Sequence, residues 1–222
     1  MCPSIILPSF PAASWSELET LLQALHGVAT SFQIDLVDGQ FVPHTSWPFT
    51  ESDPVTALSA LEPWSQVYLL EIDCMVKEPL QYLDAIVATG ARRVIVHYTS
   101  TDDLEPIFAH HNLHDYRLGI ALINDTPLSV LDSIIDEIDY VQLMGIAAIG
   151  QQGQPFDDRT IERVRSLRQK YPELEIAVDG GVNRDTIPRL LAAGVDRFAP
   201  GSAITKAADP IAAYKQLAAL VG

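Results

Sequence analysis

Short apolar runs alternate with amphipathic stretches along the whole chain. Residues 4–7, 31–36, 67–73, 93–97, 118–122, 140–144, 175–179 and 197–199 read as strands. Between them, residues 14–26, 53–61, 79–89, 102–111, 127–135, 157–170, 184–193 and 210–220 space their apolar side chains as helices do. Ser14 with Glu17 makes a capping box, Asp157 and Asn183 are candidate N-caps, and Gly90 and Gly194 fall where helix C-caps belong. Near-continuous apolar strands alternating with helices build a parallel sheet covered on both faces. Eight such repeats predict a single (β/α)8 TIM barrel spanning residues 1–222. The competing open, doubly wound sheet lacks its GxGxxG turn after the first strand.

In a barrel, the side chains that end the strands converge on one mouth. Here they are Ser9, Asp35, Asp73, His97, Asn124, Met144, Asp179 and Gly201. Asp35 interrupts the apolar strand of FQIDLVDGQFVP, residues 32–43. A buried carboxylate without a partner costs several kcal/mol, so Asp35 is expected to face the opening. It lies on the second strand and Asp179 on the seventh, nearly opposite in a ring of eight. Two carboxylates across a pocket suit removal of a proton from a carbon beside a carbonyl and its return on the other face. Either one alone serves equally well as a cap for its loop. The pair, with Asp73 between them, points to chemistry. Asp38 is expected to organise the turn at Gly39.

Gly180–Gly181 and Gly201–Ser202 follow the seventh and eighth strands and open helices. That is the usual barrel site for phosphate, although two plain glycine turns would read the same. The uncharged loop 145–156, which contains Gly150 and Gly153, is either a lid or a long surface loop.

Composition narrows the ligand. Net charge is −15, which disfavours nucleic acid and anionic membrane as partners. Only four lysines are present, so an anionic substrate depends on arginine or on backbone N–H groups. No lysine ends a predicted strand, which argues against Schiff-base chemistry. No apolar run reaches the roughly 18 residues of a membrane span, and the start MCPSIILPSF is unlike a signal peptide. Cys2 and Cys74 make no CxxC, so a reducing cytoplasm is the simple reading. Trp47 and Phe49 read as exposed aromatics, for a homo-oligomer interface or for a cover over the mouth. His26, His44, His110, His111 and His114 read as solvated.

IILPSF, DLVDGQFVP, CMVKEP, VIVH, ALINDTPL, VDGGVN and GSAI follow the eight predicted strands in turn, the sixth excepted. Over nearly the whole chain this resembles the ribulose-phosphate 3-epimerase family. The resemblance implies a barrel of the ribulose-phosphate-binding type. It implies an isomerase of the pentose phosphate pathway that interconverts ribulose 5-phosphate and xylulose 5-phosphate. The proton at C3 would move through Asp35 and Asp179. The small phosphorylated sugar would meet Ser9, Met75, His97, Met144, Gly150, Gly153, Gly180, Gly181, Gly201 and Ser202. His97 could instead orient Asp73.

The departures are as informative. Gln33 and Asp73 stand where the family carries two metal-binding histidines. Ala12 replaces a serine, Val37 a methionine, and AAIGQQGQ the usual NPGFGGQ. Gln33, Asp35, Asp73 and Asp179 offer oxygen alone, which favours Mg2+ or Mn2+ over Zn2+. Three converging carboxylates without a cation would repel, and one would hold its proton. A hard divalent cation and a metal-free site both remain open. A non-catalytic or substrate-shifted sugar-phosphate-binding barrel is the alternative function. The related lyases resemble D-x-K-x-x-D at the second strand, and Asp35-Leu36-Val37-Asp38 has no lysine.

Overall fold

The computed structural model describes residues 5–147, 149–150 and 153–222. Cys2, Ser4 at the head of the first expected strand, and Ala148, Gln151 and Gln152 of the expected lid lie outside the described residues. The strands are β1 (Ile5–Ile6), β2 (Ser9–Phe10), β3 (Ser31–Val37), β4 (Leu69–Met75), β5 (Arg93–His97), β6 (Arg117–Leu122), β7 (Tyr140–Met144), β8 (Glu175–Asp179) and β9 (Arg197–Ala199). They form one parallel sheet in the order β1-β9-β8-β7-β6-β5-β4-β3-β2.

The first expected strand is two. Pro8 has no N–H to give a ladder, and the chain changes neighbours there. β1 pairs with β9, β2 pairs with β3, and the Pro8 carbonyl accepts from Gln33 N at 2.9 Å. The two ends of the strand order are therefore joined through Leu7 and Pro8, and the sheet curls back on itself.

Around it run α1 (Trp15–Ala24), α2 (Pro54–Ala57), α3 (Glu62–Ser65), α4 (Leu80–Ala88), α5 (Glu105–Leu113), α6 (Arg159–Lys170), α7 (Ile187–Ala193), α8 (Ser202–Thr205) and α9 (Pro210–Ala218). Ser14 Oγ accepts from Glu17 N and caps α1, while Glu17 Oε2 accepts from Ala13 N at 2.8 Å, one residue before the N–H that the expected box would use. The helix expected over 53–61 is broken into α2, a 3-10 turn at Leu58–Leu61, and α3. The N–H groups of Val67 and Tyr68 still bond back to Trp64 O, so β4 starts at Leu69 rather than at Val67. No α-helix forms over 127–135. Ser129, Val130, Asp132 and Ser133 are poor helix formers, and that segment closes in 3-10 turns at Leu128–Ser133 and Ile135–Glu137. No helix among the described residues is long and apolar enough to cross a membrane.

Side chains sort by the two-residue period of a strand. Ile34, Leu36, Ile72, Val94, Val96 and Ile120 belong to the large core that the helices cover. Val37, Met75, Ile95, Ala121, Tyr140 and Met144 form a separate cluster inside the curl. Trp47 is a correction to the sequence reading: it is buried in the large core, 5.1 Å from the Trp15 ring, with its N–H bonded to Ala12 O. Phe49 is half-buried against Tyr82. His110 and His111 are likewise tucked against Tyr116 rather than solvated.

The strand starts carry a buried charge network. Arg93 Nε donates to Glu71 Oε2 at 2.6 Å, and an Arg197 guanidinium nitrogen reaches the same oxygen at 3.1 Å. Arg93 and Arg117 both donate to Glu175. The Arg93 guanidinium also lies 3.9 Å above the Tyr140 ring. Gly119 leaves room for that ring, since a Cβ there would sit 2.4 Å from it. Burial pushes the Glu175 carboxyl up, but the charges of Arg93, Arg197 and Arg117 outweigh it and hold it below its ordinary range.

Candidate active site

β3 and β8 deliver the two central acids. Asp35 and Asp179 are 4% and 6% exposed, and both line one cleft of about 450 Å3, its open mouth included. Ser9 from β2, Met75 from β4 and Met144 from β7 line it too, two residues past the more deeply placed Asp73 and Gln142 on their own strands in the case of the methionines. Gly180, Gly181, Gly201 and Ser202 close one side. In the short α8 the N–H groups of Ile204 and Thr205 donate to Gly201 O.

Gln33 and Asp73 are fully buried beneath the cleft. Gln33 precedes Asp35 by two residues on the same face of β3. Its Nε2 donates to Asp35 Oδ1 at 2.9 Å and to Asp179 Oδ2 at 3.1 Å. One amide thus ties the two acids together. Asp73 pairs in register with Asp35. His97 Nε2 lies 3.0 Å from Asp73 Oδ1, and Gln142 Nε2 donates to Asp73 Oδ2 at 2.8 Å. His97, grouped with the substrate contacts from sequence, does not line the cleft. It is 1% exposed, Phe41 packs against its ring, and it faces Asp73.

Electrostatics follow from this. Burial first, then the charges of Asp179 and Asp73, push the Asp35 carboxyl well above the usual range, and the Gln33 hydrogen bond offsets only part of that. Burial and the Asp73 charge push Asp179 up to about 7, against the Gln33 amide and the Gly180 N–H. Asp179 can therefore exchange a proton near neutrality, and Asp35 is shifted in the same direction, which suits proton transfer.

Asp38 does organise its turn. Its Oδ1 accepts from Gln40 N and Phe41 N, and its Oδ2 accepts from Lys77 N, which anchors the loop after β4. Asn183 Oδ1 accepts from Asp185 N and Thr186 N, so it caps the turn that precedes α7 rather than α7 itself.

The described residues of the loop after β7 reach the cleft. A Cβ on Gly150 would lie 2.7 Å from Val42 in the loop after β3. At its base the loop is fused to the loop after β8: a Cβ on Gly145 would lie 2.1 Å from Gly180 O, and one on Gly181 would lie 2.9 Å from the Phe156 Cα. Gly150, Gly153, Ile146 and Gln154 all line the cleft. Lys206 Nζ lies 3.6 Å from the Cβ position of Gly153, which brings one cation to the loop's far side. Sequence reading missed Gln142, Gln154 and Lys206. The two-residue period back from Met144 points at Gln142, and the i, i+4 spacing from Ser202 points at Lys206.

The oxygens of Asp35, Asp73 and Asp179 lie within 4.8 Å of one another, so by proximity alone they could hold an ion. Hydrogen bonds already occupy much of that set. Both Asp73 oxygens and one oxygen each of Asp35 and Asp179 already accept from Gln33, Gln142 or the His97 ring.

The fold is shared widely. 3-Hexulose-6-phosphate synthase from Salmonella typhimurium superposes with a TM-score of 0.74 over 98% of both chains at 17% identity. KGPDC from Streptococcus mutans does so with a TM-score of 0.75 at 12% identity, over 98% of this chain and 97% of that one. Sequence likeness is closer elsewhere. The ribulose-phosphate 3-epimerase of Eremothecium gossypii is 30% identical over 94% of this chain and 89% of its own length. That of Bacillus subtilis is 30% identical over 94% and 93%. The family model for ribulose-phosphate 3 epimerase matches residues 5–205, a span that holds every strand and all three clustered acids, and the chain belongs to the ribulose-phosphate 3-epimerase family.

Proposed function

We propose that this protein is a ketose-phosphate 3-epimerase, with ribulose 5-phosphate and xylulose 5-phosphate as its reference pair. In this reading β1 and β2 are halves of one strand, and the chain is a single closed (β/α)8 barrel. One aspartate takes the proton from C3, and the C–H electron pair moves into a C2–C3 double bond as the C2 carbonyl becomes an enolate oxygen. The other aspartate delivers a proton to the opposite face of C3, and the carbonyl re-forms. One proton enters and one leaves, so a solvent proton replaces the one removed. The sugar phosphate group would rest on the loops after β8 and β9, where backbone N–H groups serve a chain of net charge −15. The loop after β7 would exclude water.

The carrying observation is the pair of buried acids from β3 and β8, opening on one cleft and both raised above the ordinary carboxylate range. A cation entering among Asp35, Asp73 and Asp179 would meet oxygen, as Mg2+ or Mn2+ prefers and Zn2+ does not. It would first have to displace the N–H donors now on those oxygens. A cytoplasmic setting agrees with Cys74, which is buried and unpaired.

The test is isotope exchange. Protein incubated with ribulose 5-phosphate in D2O should place deuterium at C3, followed by NMR. Asp35→Asn should abolish it. No exchange with ribulose 5-phosphate, together with exchange on another ketose phosphate, would keep the chemistry and change the substrate. No exchange on any ketose phosphate would overturn the reading.

A further inference from the structure

In the family resemblance, the positions of Gln33 and Asp73 belong to two imidazoles that hold a divalent ion together with the two catalytic aspartates. We propose that this site works without a metal ion, and that Gln33 is a positioning residue whose amide takes the ion's place between Asp35 and Asp179. The inference rests on the epimerase reading above for its function, but its structural half stands apart from it.

Four observations carry it. First, a single nitrogen, Gln33 Nε2, bridges Asp35 Oδ1 and Asp179 Oδ2 at 2.9 and 3.1 Å. An ion bound to those two oxygens at about 2.0–2.2 Å would need the space of that nitrogen. Second, the other candidate ligand, Asp73, is already engaged at both oxygens, by His97 and Gln142, which hold its orientation. Third, the one atom of Gln33 able to ligate, Oε1, is turned away and has no hydrogen-bond partner in the structure. Turning the amide over would present Oε1 but would withdraw the N–H groups from both acids. Fourth, Gln33 and Asp73 have no exposed surface, while a hard cation such as Mg2+ keeps several of its waters.

The amide has a definite task in this arrangement. It offers one N–H to each acid and fixes the separation of the base and the acid before substrate arrives. Misplacement of either by about 1 Å can cost on the order of 100-fold in rate. Removal of the amide should therefore lower kcat and leave KM nearly unchanged, because Gln33 does not line the cleft.

A second group of side chains able to bind metal lies on α4, on α5 and just past its end: Asp84, His110 and His114, with His110 Nε2 3.1 Å from Asp84 Oδ1. Metal analysis is therefore done on His110→Ala protein grown with Mn2+ and Zn2+. The expected content is far below one ion per chain, and the C3 exchange rate should be the same with EDTA or with added Mn2+. Gln33→Met, checked for folding by circular dichroism, should lose about 100-fold in kcat with KM held within a few-fold. Gln33→His combined with Asp73→His should gain about one ion per chain and an exchange rate that chelator abolishes.

Near-stoichiometric metal in the His110→Ala protein, with exchange lost to EDTA and restored by Mn2+, would overturn the proposal and would mean the amide is turned over. Unchanged kcat in Gln33→Met would overturn the positioning role. Should no ketose phosphate exchange at all, the epimerase reading fails, and metal content with and without the paired histidines still decides the metal question.

Discussion

At the strand starts Glu71 and Glu175 lie against Arg93, Arg117 and Arg197; at the strand ends Asp35, Asp73 and Asp179 lie against two amides and an imidazole. Both sets are carboxylates facing the inside of the curled sheet. Guanidinium partners hold Glu175 below its ordinary pKa, whereas Asp35 and Asp179 are raised by burial and by one another's company with Asp73. The first set is locked in ion pairs and serves as a bolt. In the second, Asp179 is raised to about 7, within reach of proton exchange at neutral pH. The two ends of the strands thus separate stability from chemistry.

The strongest test of that contrast removes an acid from the mouth. Asp179→Asn should lower C3 exchange by about 10²–10⁴-fold while the protein stays folded, as read by exchange rate and circular dichroism. Next comes the opposite end. Arg93→Leu leaves Glu71 buried and short of its main partner, and should cost about 3–5 kcal/mol in urea unfolding, with activity per folded molecule retained. Loss of activity in that variant without loss of stability would erase the division between the two ends.

The third test uses pH. A carboxyl raised in the folded state favours folding most when protonated, so its contribution is full below 3.8 and is lost as pH rises through about 7. Asp179 alone should make the protein about 2–3 kcal/mol less stable at pH 8 than at pH 5. Asp179→Asn should flatten that slope and be the more stable protein at pH 8. The smallest effect is expected at the lid. Lys206→Ala should raise KM roughly 2–5-fold with kcat unchanged, the scale of one exposed charge.

Much of this was legible in the chain. The alternation of strands and helices, the strand-end positions of Asp35 and Asp179, and the glycines after β8 and β9 are local signals. Gln33 and Asp73 could be read as departures from the family pattern, but not as parts of a hydrogen-bonded set, because that set needs Gln142 from a strand three places away. The charge network was visible in part, since β5, β6 and β9 open on arginine and β8 on glutamate. Its pairing depends on the stagger of the strands, which no local pattern encodes. Trp47 was misread for a similar reason: its burial is decided by Trp15, from an element 32 residues earlier. Pro8 announced the break in the first strand, but not that the two halves serve different neighbours.

The contact between Gly145 and Gly180 bears on how such a protein can be re-engineered. With no room for even a methyl group between them, the loops after β7 and β8 cannot be exchanged separately. A graft aimed at a new sugar must carry both loops as one cassette, seam included, or vary only the positions between Ile146 and Phe156 and leave the seam alone.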